Sequence, residues 1–305
     1  MKKVLVIGGS YFAGRVFVEE YLTCQDAEIH LFNRGRSPLG FEGVIEHQGD
    51  RENPEDIRGV IPDEAWDEII DFCAYNPAHV KSLLENIKGS VKHYILISTT
   101  SVYHEGLTSA ADESFPVLTG RQPELGMFAD YGFDKLQAES VLKTLCKEKR
   151  INYTILRPSI IYGFYNYTGR ESYFYDAIIN GGVIVLPENN LSHYSMVSVV
   201  DMAHIIVKSI GNEKTYGEVF NVSGKELLSY EGIIDVLEET IGNTLSVEYR
   251  SMDEITSDKV PLPFPPGTNL IYDGSKVADV LDFNYTAFEV GFKLSFLYYR
   301  QVATS

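Results

Sequence analysis

The chain has 305 residues, of which 44% are apolar and 23% are charged, the balance of an ordinary soluble globular protein. This length allows one large domain or two smaller ones. The formal net charge of −17 repels nucleic acid and anionic membranes, and no dense run of Lys or Arg offsets it.

The sequence shows no targeting or membrane segment. The first apolar run, 4–7, stops at Gly8-Gly9 and is too short for the apolar part of a signal peptide. No stretch approaches the roughly 20 apolar residues of a membrane helix. Three widely spaced cysteines match no metal or redox pattern, which fits free thiols in a reducing compartment. We predict a cytoplasmic protein with no metal site and no membrane partner.

The first half of the chain alternates strand-like and helix-like segments. We predict strands over 4–7, 27–32, 43–47, 67–72, 91–97 and 153–156, and helices over 14–22, 79–87 and 131–146. This alternation is typical of a parallel sheet covered on both faces, and right-handed crossovers make it doubly wound. The predicted fold class is α/β, a doubly wound parallel (Rossmann) sheet with a smaller C-terminal substrate lobe formed by insertions.

The second half of the chain differs from the first in composition and in the order of its predicted elements. Residues 164–175 are aromatic and polar, 181–190 predict a hairpin or edge strand, and 260–267 form a proline-rich loop. A strand followed by a helix returns over 195–210, and a late strand over 217–224. We predict a dinucleotide-binding domain from 1–163 and 197–222, and a substrate-binding lobe from 164–196 and 223–305.

A glycine-rich segment follows the first strand and precedes the first helix, the context expected of a dinucleotide loop. Its amides and the helix N-terminus favour a pyrophosphate. Tyr11 stands where such loops usually have their middle glycine. We predict that Tyr11 keeps a negative φ and turns its ring outward, so that its backbone N–H can still donate a hydrogen bond to the pyrophosphate. The residues assigned here to cofactor binding are Gly8, Gly9, Ser10, Tyr11, Phe12 and Gly14; the alternative is a plain strand-to-helix turn.

The end of the second strand bears on the choice of dinucleotide. NAD-selective sites usually place an acidic residue here, whereas this chain has Asn33 followed by Arg34 and Arg36. A guanidinium suits a 2′-phosphate, so we predict NADP in preference to NAD. The alternative is a solvated loop. Asp50 follows the third strand and is assigned to the adenine.

Tyr131 and Lys135 have the spacing that places two side chains on one helix face. A neighbouring ammonium lowers the pKa of tyrosine from about 10 toward neutral pH, which makes Tyr131 a candidate general acid/base for alcohol–ketone redox. Tyr272 and Lys276 repeat the spacing after a proline-rich loop, and we interpret that copy as accidental. Hydroxyl residues end the buried strand that precedes Tyr103, where they could bind a substrate oxygen or simply cap the strand end.

Together, the glycine-rich loop and the segments WDEIIDFCAY, ILISTTSVY, DYGFDKLQAE, LRPSIIYG, MVSVVDMA and FNVSG resemble the extended short-chain dehydrogenase/reductase family, in its NAD-dependent epimerase/dehydratase group. The resemblance covers nearly the whole chain. It implies that Tyr131 is the catalytic acid/base and that Lys135 holds the nicotinamide ribose and tunes the tyrosine. It also implies that Thr99, or Ser98 as second choice, binds the substrate oxygen. Ala74 and Pro158, in the matching segments, are implied cofactor contacts.

The sequence departs from this family at several places. A GGxxFxG loop resembles a divergent branch that includes bacterial reductase-like proteins of unassigned substrate and relatives of chloroplast stem-loop-binding proteins. Thr100-Ser101 replace the Asp-Glu pair of dehydratase-like members, which disfavours dehydration. The Arg that often precedes the MVSVVD segment in sugar-nucleotide members is absent. Arg170 and His193 are candidate substrate contacts, but we expect each to be a solvated surface residue.

The favoured function is hydride transfer at a substrate alcohol or ketone by an NADP- or NAD-dependent reductase, with an epimerase second. The substrate would be a small molecule, in one version a sugar or sugar nucleotide, and the resemblance also implies that the chain could form a homodimer. Two alternatives keep the same fold. One is an RNA-binding relative, which the acidic charge and the lack of basic patches disfavour, so nucleic acid is not the expected partner. The other is a cofactor-binding regulator without turnover.

Overall fold

The computed structural model describes residues 1–24, 27–104 and 106–303. The strands are β1 (Lys2–Ile7), β2 (Ala27–Asn33), β3 (Val44–Gln48), β4 (Glu64–Asp71), β5 (Gly89–Ile97), β6 (Asn152–Pro158), β7 (Ile160–Tyr162), β8 (Ile184–Pro187), β9 (Met196–Ser198), β10 (Glu218–Val222) and β11 (Val247–Arg250). The helices are α1 (Phe12–Leu22), α2 (Pro54–Val60), α3 (Pro77–Asn86), α4 (Tyr131–Lys149), α5 (Glu171–Asn180), α6 (Val199–Ser209), α7 (Tyr230–Ile241), α8 (Met252–Ser257), α9 (Ser275–Leu281) and α10 (Phe288–Ala303).

Seven strands form one parallel sheet in the order β10-β6-β5-β4-β1-β2-β3. Val4 of β1 pairs with Ile29 on one side and Glu68 on the other, and both neighbours run parallel to it. The chain leaves β1 toward β2 and β3, and then returns to build β4, β5 and β6 on the other side. The predicted doubly wound α/β fold is confirmed. The crevice of such a sheet lies where this order reverses, at the carboxyl ends of β1 and β4.

Helices cover both faces of the sheet. Val4 and Val6 of β1 belong to one buried cluster, with Phe17 of α1 and Ile206 of α6. Leu5 and Ile7, which point to the opposite face, share a second cluster with residues of α2, α3 and α4. Because β1 is buried on both faces, it reads as an unbroken apolar run rather than an alternating one.

The local sequence explains where the helices begin. Asn76 caps α3 by accepting a hydrogen bond from the His79 amide (3.1 Å), and Pro77 occupies the first helical position, where no N–H is needed. Ser198 caps α6 in the same way. The predicted helix over 131–146 is confirmed and extends to Lys149.

The segment 181–190 contains a strand, but the hairpin alternative is wrong. β8 pairs in parallel with β11, which lies about sixty residues further along the chain. An aromatic cluster, which includes Phe174, Tyr194, Tyr230 and Phe292, packs beneath these elements. The division of the chain at 163, 197 and 222 stays a prediction.

The turn from β1 into α1 depends on close backbone approach. A Cβ atom added at Gly14 would lie 2.3 Å from the Gly9 Cα, a distance that no side chain can occupy without moving the backbone. Gly59, in α2, is exposed, and a Cβ added there would meet nothing within 4 Å. The two glycines therefore form a matched pair.

We predict that Gly14→Ala lowers the free energy of unfolding by about 1–3 kcal/mol, because the added methyl group overpacks the turn. The control Gly59→Ala should raise it by up to about 1 kcal/mol through helix propensity. Urea unfolding followed by circular dichroism measures both. A Gly14→Ala protein as stable as the wild type would show that the turn relaxes freely.

Candidate active site

The glycine-rich turn is shaped by two positive φ angles. Gly8 and Gly9 have φ of +85° and +83°, and the Gly8 amide donates to the Phe32 carbonyl of β2 (3.0 Å). Tyr11 has a φ of −128°, as predicted, and its side chain does not cap α1. The first amides of a helix have no partner within the helix, so this turn offers donors to a phosphate.

The ring of Tyr11 is 58% exposed. Its hydroxyl hydrogen-bonds to the Ser37 hydroxyl (2.5 Å), and its ring makes an edge contact with Tyr167 at 6.3 Å. That the ring clears the pyrophosphate path stays a prediction. Phe12 has a φ of +39°, which is unusual for a bulky residue and marks a strained turn at the start of α1.

The turn after β2 is tied to the glycine-rich turn by Asn33. Its Nδ2 donates to the Ser10 hydroxyl (2.8 Å), and its Oδ1 accepts from the Gly35 amide (2.6 Å). Arg34 and Arg36 are exposed, and neither guanidinium makes a hydrogen bond or ion pair within residues 1–24, 27–104 and 106–303. Two free cations therefore flank this turn.

Sequence reasoning singled out Asp50, but its neighbour Arg51 is the buried residue. The Asp50 carboxylate accepts from the Glu52 amide (2.9 Å) and shapes the turn after β3. Arg51 forms a two-pronged ion pair with Asp71 at the end of β4 (2.6 and 3.0 Å). Burial opposes the charge on Asp71, but Arg51 and the Tyr94 hydroxyl hold the pKa of that carboxyl below its ordinary value. Nothing in the sequence marked Arg51, an arginine that follows an acidic turn residue, as a buried residue.

Tyr131 and Thr99 meet at the carboxyl edge of the sheet. Tyr131 is the first residue of α4, and its phenol lies close enough to the Thr99 side chain, just after β5, for Thr99 to counter part of the rise in its pKa. The Thr99 Oγ1 also accepts from the Ser101 amide (3.1 Å), so Thr99 caps the short 3₁₀ turn that follows. Ser98 is instead bound to Glu139 (2.5 Å), which removes it as a group for substrate.

The expected effect of Lys135 on Tyr131 is wrong. The pKa of Tyr131 is raised, mainly because surrounding protein atoms reduce its solvation, and the groups that oppose this rise are Thr99 and Arg170. The Lys135 amine lies deeper, where it donates to the carbonyl oxygens of Ile97 (2.6 Å) and Ala74 (3.1 Å). Burial lowers the pKa of Lys135 to about 8.

The strand ends that carry these groups are held by a buried ion pair. Glu139 of α4 accepts from Arg157 of β6 at 2.6 and 2.9 Å, and its Oε1 also accepts from Ser98. Arg157 donates further to the Tyr103 hydroxyl (2.9 Å), which in turn donates to Asn221 of β10 (2.8 Å). Pro158, an implied cofactor contact, follows Arg157 and is buried at the end of β6.

The segment between β7 and α5 approaches the glycine-rich loop. The Tyr167 ring contacts the rings of both Tyr11 and Phe12 at 6.3 Å. Arg170, at the N-terminus of α5, is half-buried and lies close enough to Tyr131 for its charge to lower the pKa of the phenol. The expectation that Arg170 is solvated surface is therefore wrong, because the fold turns this segment back over the cleft. His193 is exposed, as expected.

A family model described as the NAD dependent epimerase/dehydratase family matches residues 4–223. The chain belongs to this family. A UDP-glucose 4-epimerase of Vibrio cholerae is 27% identical over 242 residues, which cover 73% of this chain and 70% of that protein. A chloroplast stem-loop binding protein of Arabidopsis thaliana is 27% identical over 247 residues, which cover 76% of this chain but only 61% of the length of that relative.

Solved structures of epimerases share the fold. A UDP-glucuronic acid 4-epimerase from Bacillus cereus, in complex with UDP-glucuronic acid and NAD, has a TM-score of 0.77 and 19% identity, with 98% of this chain and 99% of that chain covered. A UDP-glucose 4-epimerase from Thermotoga maritima, with UDP-glucose, has a TM-score of 0.78 and 19% identity, with 99% of each chain covered. Both likenesses show that this member of the epimerase/dehydratase family has the architecture of those enzymes.

Two absences are found in the parts of this family member that the structure describes. Across residues 1–24, 27–104 and 106–303, no group of three or more His, Cys, Asp or Glu side chains is placed to hold a metal ion. Within the same ranges, no helix is both long and apolar enough to cross a membrane.

Beside the cleft of this epimerase-family fold lies a cavity of about 390 Å³ that holds a buried carboxyl group. Glu171 is 3% exposed, and it accepts hydrogen bonds from the Gly163 amide (2.7 Å) and from Asn166. The Ser295 hydroxyl of α10 donates to Oε1 of Glu171 at 3.4 Å. Burial raises the pKa of Glu171 to about 7. The Glu171 carboxyl group thus links the segment before α5 to α10 by hydrogen bonds. Its burial nevertheless destabilises the charged form.

We predict that Glu171→Gln stabilises the protein increasingly as the pH rises from 5 to 8. Between the ordinary carboxyl pKa of 4.5 and about 7, the folded wild type binds more protons than the unfolded chain, so its stability falls as the pH rises. The variant lacks this loss, which is up to about 3 kcal/mol. Chemical unfolding at pH 5, 6, 7 and 8 measures the difference. A constant difference at all four values would contradict the raised pKa.

Proposed function

We propose that this member of the family is a nicotinamide-dinucleotide-dependent reductase or epimerase that acts on a substrate alcohol or ketone. One observation carries the proposal. The Tyr131 phenol and the Thr99 hydroxyl meet at the carboxyl edge of the parallel sheet, one helical turn from the buried amine of Lys135. Ligands bind at this edge in doubly wound folds, so a substrate oxygen placed there would meet both hydroxyl groups.

Each of the three residues has a distinct role in this proposal. Tyr131 gives a proton to the substrate oxygen during reduction and takes one during oxidation. An ordinary tyrosine, with a pKa of about 10, is already protonated at neutral pH, and the raised pKa of Tyr131 leaves it in that form, which suits the reducing direction. Thr99 orients the oxygen by a hydrogen bond. Lys135 uses two of its three N–H donors on backbone carbonyls, and the third remains for a ribose hydroxyl of the cofactor.

The glycine-rich turn fits a dinucleotide. The space that a Cβ at Gly14 would fill is taken by the Gly9 backbone, and Tyr11 leaves the first amides of α1 uncapped by its side chain. When bound, a nicotinamide group supplies the hydride acceptor or donor. Solved neighbours of this fold are NAD complexes, which supports a cofactor of this class.

Within this class we propose NADP in preference to NAD. The exposed Arg34 and Arg36 provide guanidinium groups at the turn where a 2′-phosphate would lie, and Asn33 replaces the usual carboxylate. Residues assigned to the rest of the cofactor are Gly8, Gly9, Ser10, Tyr11, Phe12, Gly14, Asp50, Ala74 and Pro158.

Reduction and epimerisation need the same groups, whereas dehydration needs an additional acid/base pair. Thr100 and Ser101 occupy that place in this chain and begin a short 3₁₀ turn. We therefore rank dehydration last among these three reactions. A sugar or sugar nucleotide is one substrate class in this proposal, because the solved neighbours include complexes with UDP-sugars. Stem-loop binding is ranked lower, because the net charge of −17 opposes RNA.

The first test is a thermal-shift titration with NADPH, NADP, NADH and NAD. Ligands that bind the folded state raise the melting temperature according to their affinity, so NADPH and NADP should give the larger shifts. The double variant Arg34→Gln/Arg36→Gln should lose about tenfold or more in affinity for NADP and little for NAD. The double variant Lys149→Gln/Arg150→Gln, at two exposed positions, removes the same two charges and serves as the control. Equal shifts for all four ligands would overturn the NADP preference, and no shift would overturn the cofactor assignment.

The second test is Tyr131→Phe, assayed as NADPH-dependent reduction of a panel of carbonyl compounds and as epimerisation of UDP-glucose. Loss of the proton donor should lower kcat by about 10²–10⁴-fold while cofactor affinity changes little. Tyr249→Phe, an exposed tyrosine on β11, is the matched control. Turnover by Tyr131→Phe at the wild-type rate would exclude the proposed mechanism.

A further inference from the structure

Lys135 carries a buried charge that no carboxylate contacts. The residue is 2% exposed, and its amine donates to the carbonyl oxygens of Ile97 (2.6 Å) and Ala74 (3.1 Å). In the part of the chain that the structure describes, the amine forms no ion pair. A buried ammonium needs compensation for the water that it loses, and two carbonyl groups occupy only two of its three N–H donors.

Four titratable side chains act on the Lys135 amine through their charge, namely those of Asp71, Cys73, Arg51 and Glu139. The two carboxylates are already engaged, since Asp71 is bound to Arg51 and Glu139 is bound to Arg157. Burial raises the pKa of the thiol, so it stays uncharged at neutral pH. None of these four groups therefore gives the amine a counter-ion of its own.

A further partner of the amine is an aromatic ring. The Lys135 Nζ lies over the Tyr75 ring, 5.3 Å from its centroid, which is within the range of a cation–π contact. Because Ala74 and Tyr75 are consecutive, one segment after β4 supplies both a carbonyl oxygen and the ring. Burial raises the pKa of the Tyr75 phenol and that of the Tyr131 phenol. The attraction at neutral pH is therefore to the ring and not to a phenolate.

Short local contacts fix the place of the Tyr75 ring. The Tyr75 amide donates to Nδ1 of His79 (3.2 Å), and the two rings make an edge contact at 6.3 Å. The Cys73 amide donates to the Asp71 carboxylate at the end of β4 (3.0 Å). Tyr75 is 49% exposed, although its ring contacts a buried amine. The ring therefore covers Lys135 at the crevice where the strand order reverses.

We propose that Tyr75 is a positioning residue for Lys135, whose ring stabilises the charged amine and holds it at the crevice for a ribose hydroxyl of the dinucleotide. Only the contact with the ribose rests on the proposed function. A ring face attracts a cation without fixing one N–H direction, so the third N–H donor of the amine can still turn to a hydroxyl group. The carbonyl groups fix the place of the amine, and the ring favours its charged form over its neutral form.

The first test measures the pKa of Lys135 in the dinucleotide-free protein by titrating the Cε resonances of isotope-labelled lysine, with Lys135→Met to identify the signal. The wild type should titrate near pH 8. Tyr75→Leu keeps an apolar cover but removes the ring, and should lower this pKa by about 0.5–1.5. Tyr75→Phe should keep the wild-type value, because the ring remains. Tyr249→Leu, at a tyrosine of β11 that is 50% exposed, is the matched control.

The pKa of Lys135 in Tyr75→Leu decides the first step of the proposal. An unchanged value would overturn it, and so would a Tyr75→Phe protein that titrates like Tyr75→Leu. Tyr75→Met, with an unbranched apolar side chain, takes the place of Tyr75→Leu if that variant does not fold.

The second test titrates NADP against the same proteins at pH 6.5 and pH 9. The amine is charged below its pKa, so a lowered pKa removes more of the charge at pH 9 than at pH 6.5. Tyr75→Leu should therefore bind NADP about three- to thirtyfold more weakly than the wild type at pH 9, and at most about twofold more weakly at pH 6.5. Tyr75→Phe and Tyr249→Leu should follow the wild type at both pH values.

The pattern of NADP affinities separates three outcomes. An equal loss in Tyr75→Leu at both pH values would overturn the positioning role, because the ring would then contact the cofactor directly. No loss at either pH value would overturn it as well. If the wild type binds no NADP, the proposed function fails instead, and the lysine titration alone decides whether the Tyr75 ring stabilises the amine.

Discussion

The candidate site depends on the buried ion pair between Glu139 and Arg157. Glu139 lies two turns after Tyr131 on α4, while Arg157 lies on β6, next to β5, the strand that ends two residues before Thr99. Breaking such a pair by removing one partner typically costs about 3–5 kcal/mol, because the other charge stays buried. Glu139 also accepts a hydrogen bond from Ser98, just after β5. Arg157 donates to the Tyr103 hydroxyl, which donates to Asn221 of β10. The ion pair therefore joins α4 to the ends of β5, β6 and β10. The helix that carries the proposed acid/base is thereby fixed in height and rotation against the sheet.

The sheet and its helices could be predicted well because their signals are local. The apolar run before Gly8 predicts a strand buried on both faces, and the spacing of Tyr131 and Lys135 predicts a shared helix face. Tyr11 was predicted correctly in its backbone angle, because only an ordinary φ leaves its amide usable. The cofactor and catalytic assignments stay predictions, but their residues do converge on one edge of the sheet.

Other features could not be read from the sequence because they depend on distant partners. The strand at Ile184–Pro187 pairs with one that comes about sixty residues later, and no local pattern specifies that pairing. Arg170 was expected to be a solvated surface residue, but it is half-buried, because the segment after β7 folds back toward the glycine-rich loop. The pKa of Tyr131 was misjudged for a related reason, since spacing alone does not show that Lys135 is engaged by strand-end carbonyls.

The two carbonyl bonds of Lys135 have a thermodynamic consequence. The free energy of moving this ammonium out of water is already part of the folding equilibrium, because the amine is buried before any ligand arrives. A ligand that takes its remaining N–H donor therefore meets a group that is already dehydrated and aligned. The cost of dehydrating and aligning Lys135 therefore lowers the free energy of unfolding, which is small in any protein, and not the affinity of the ligand.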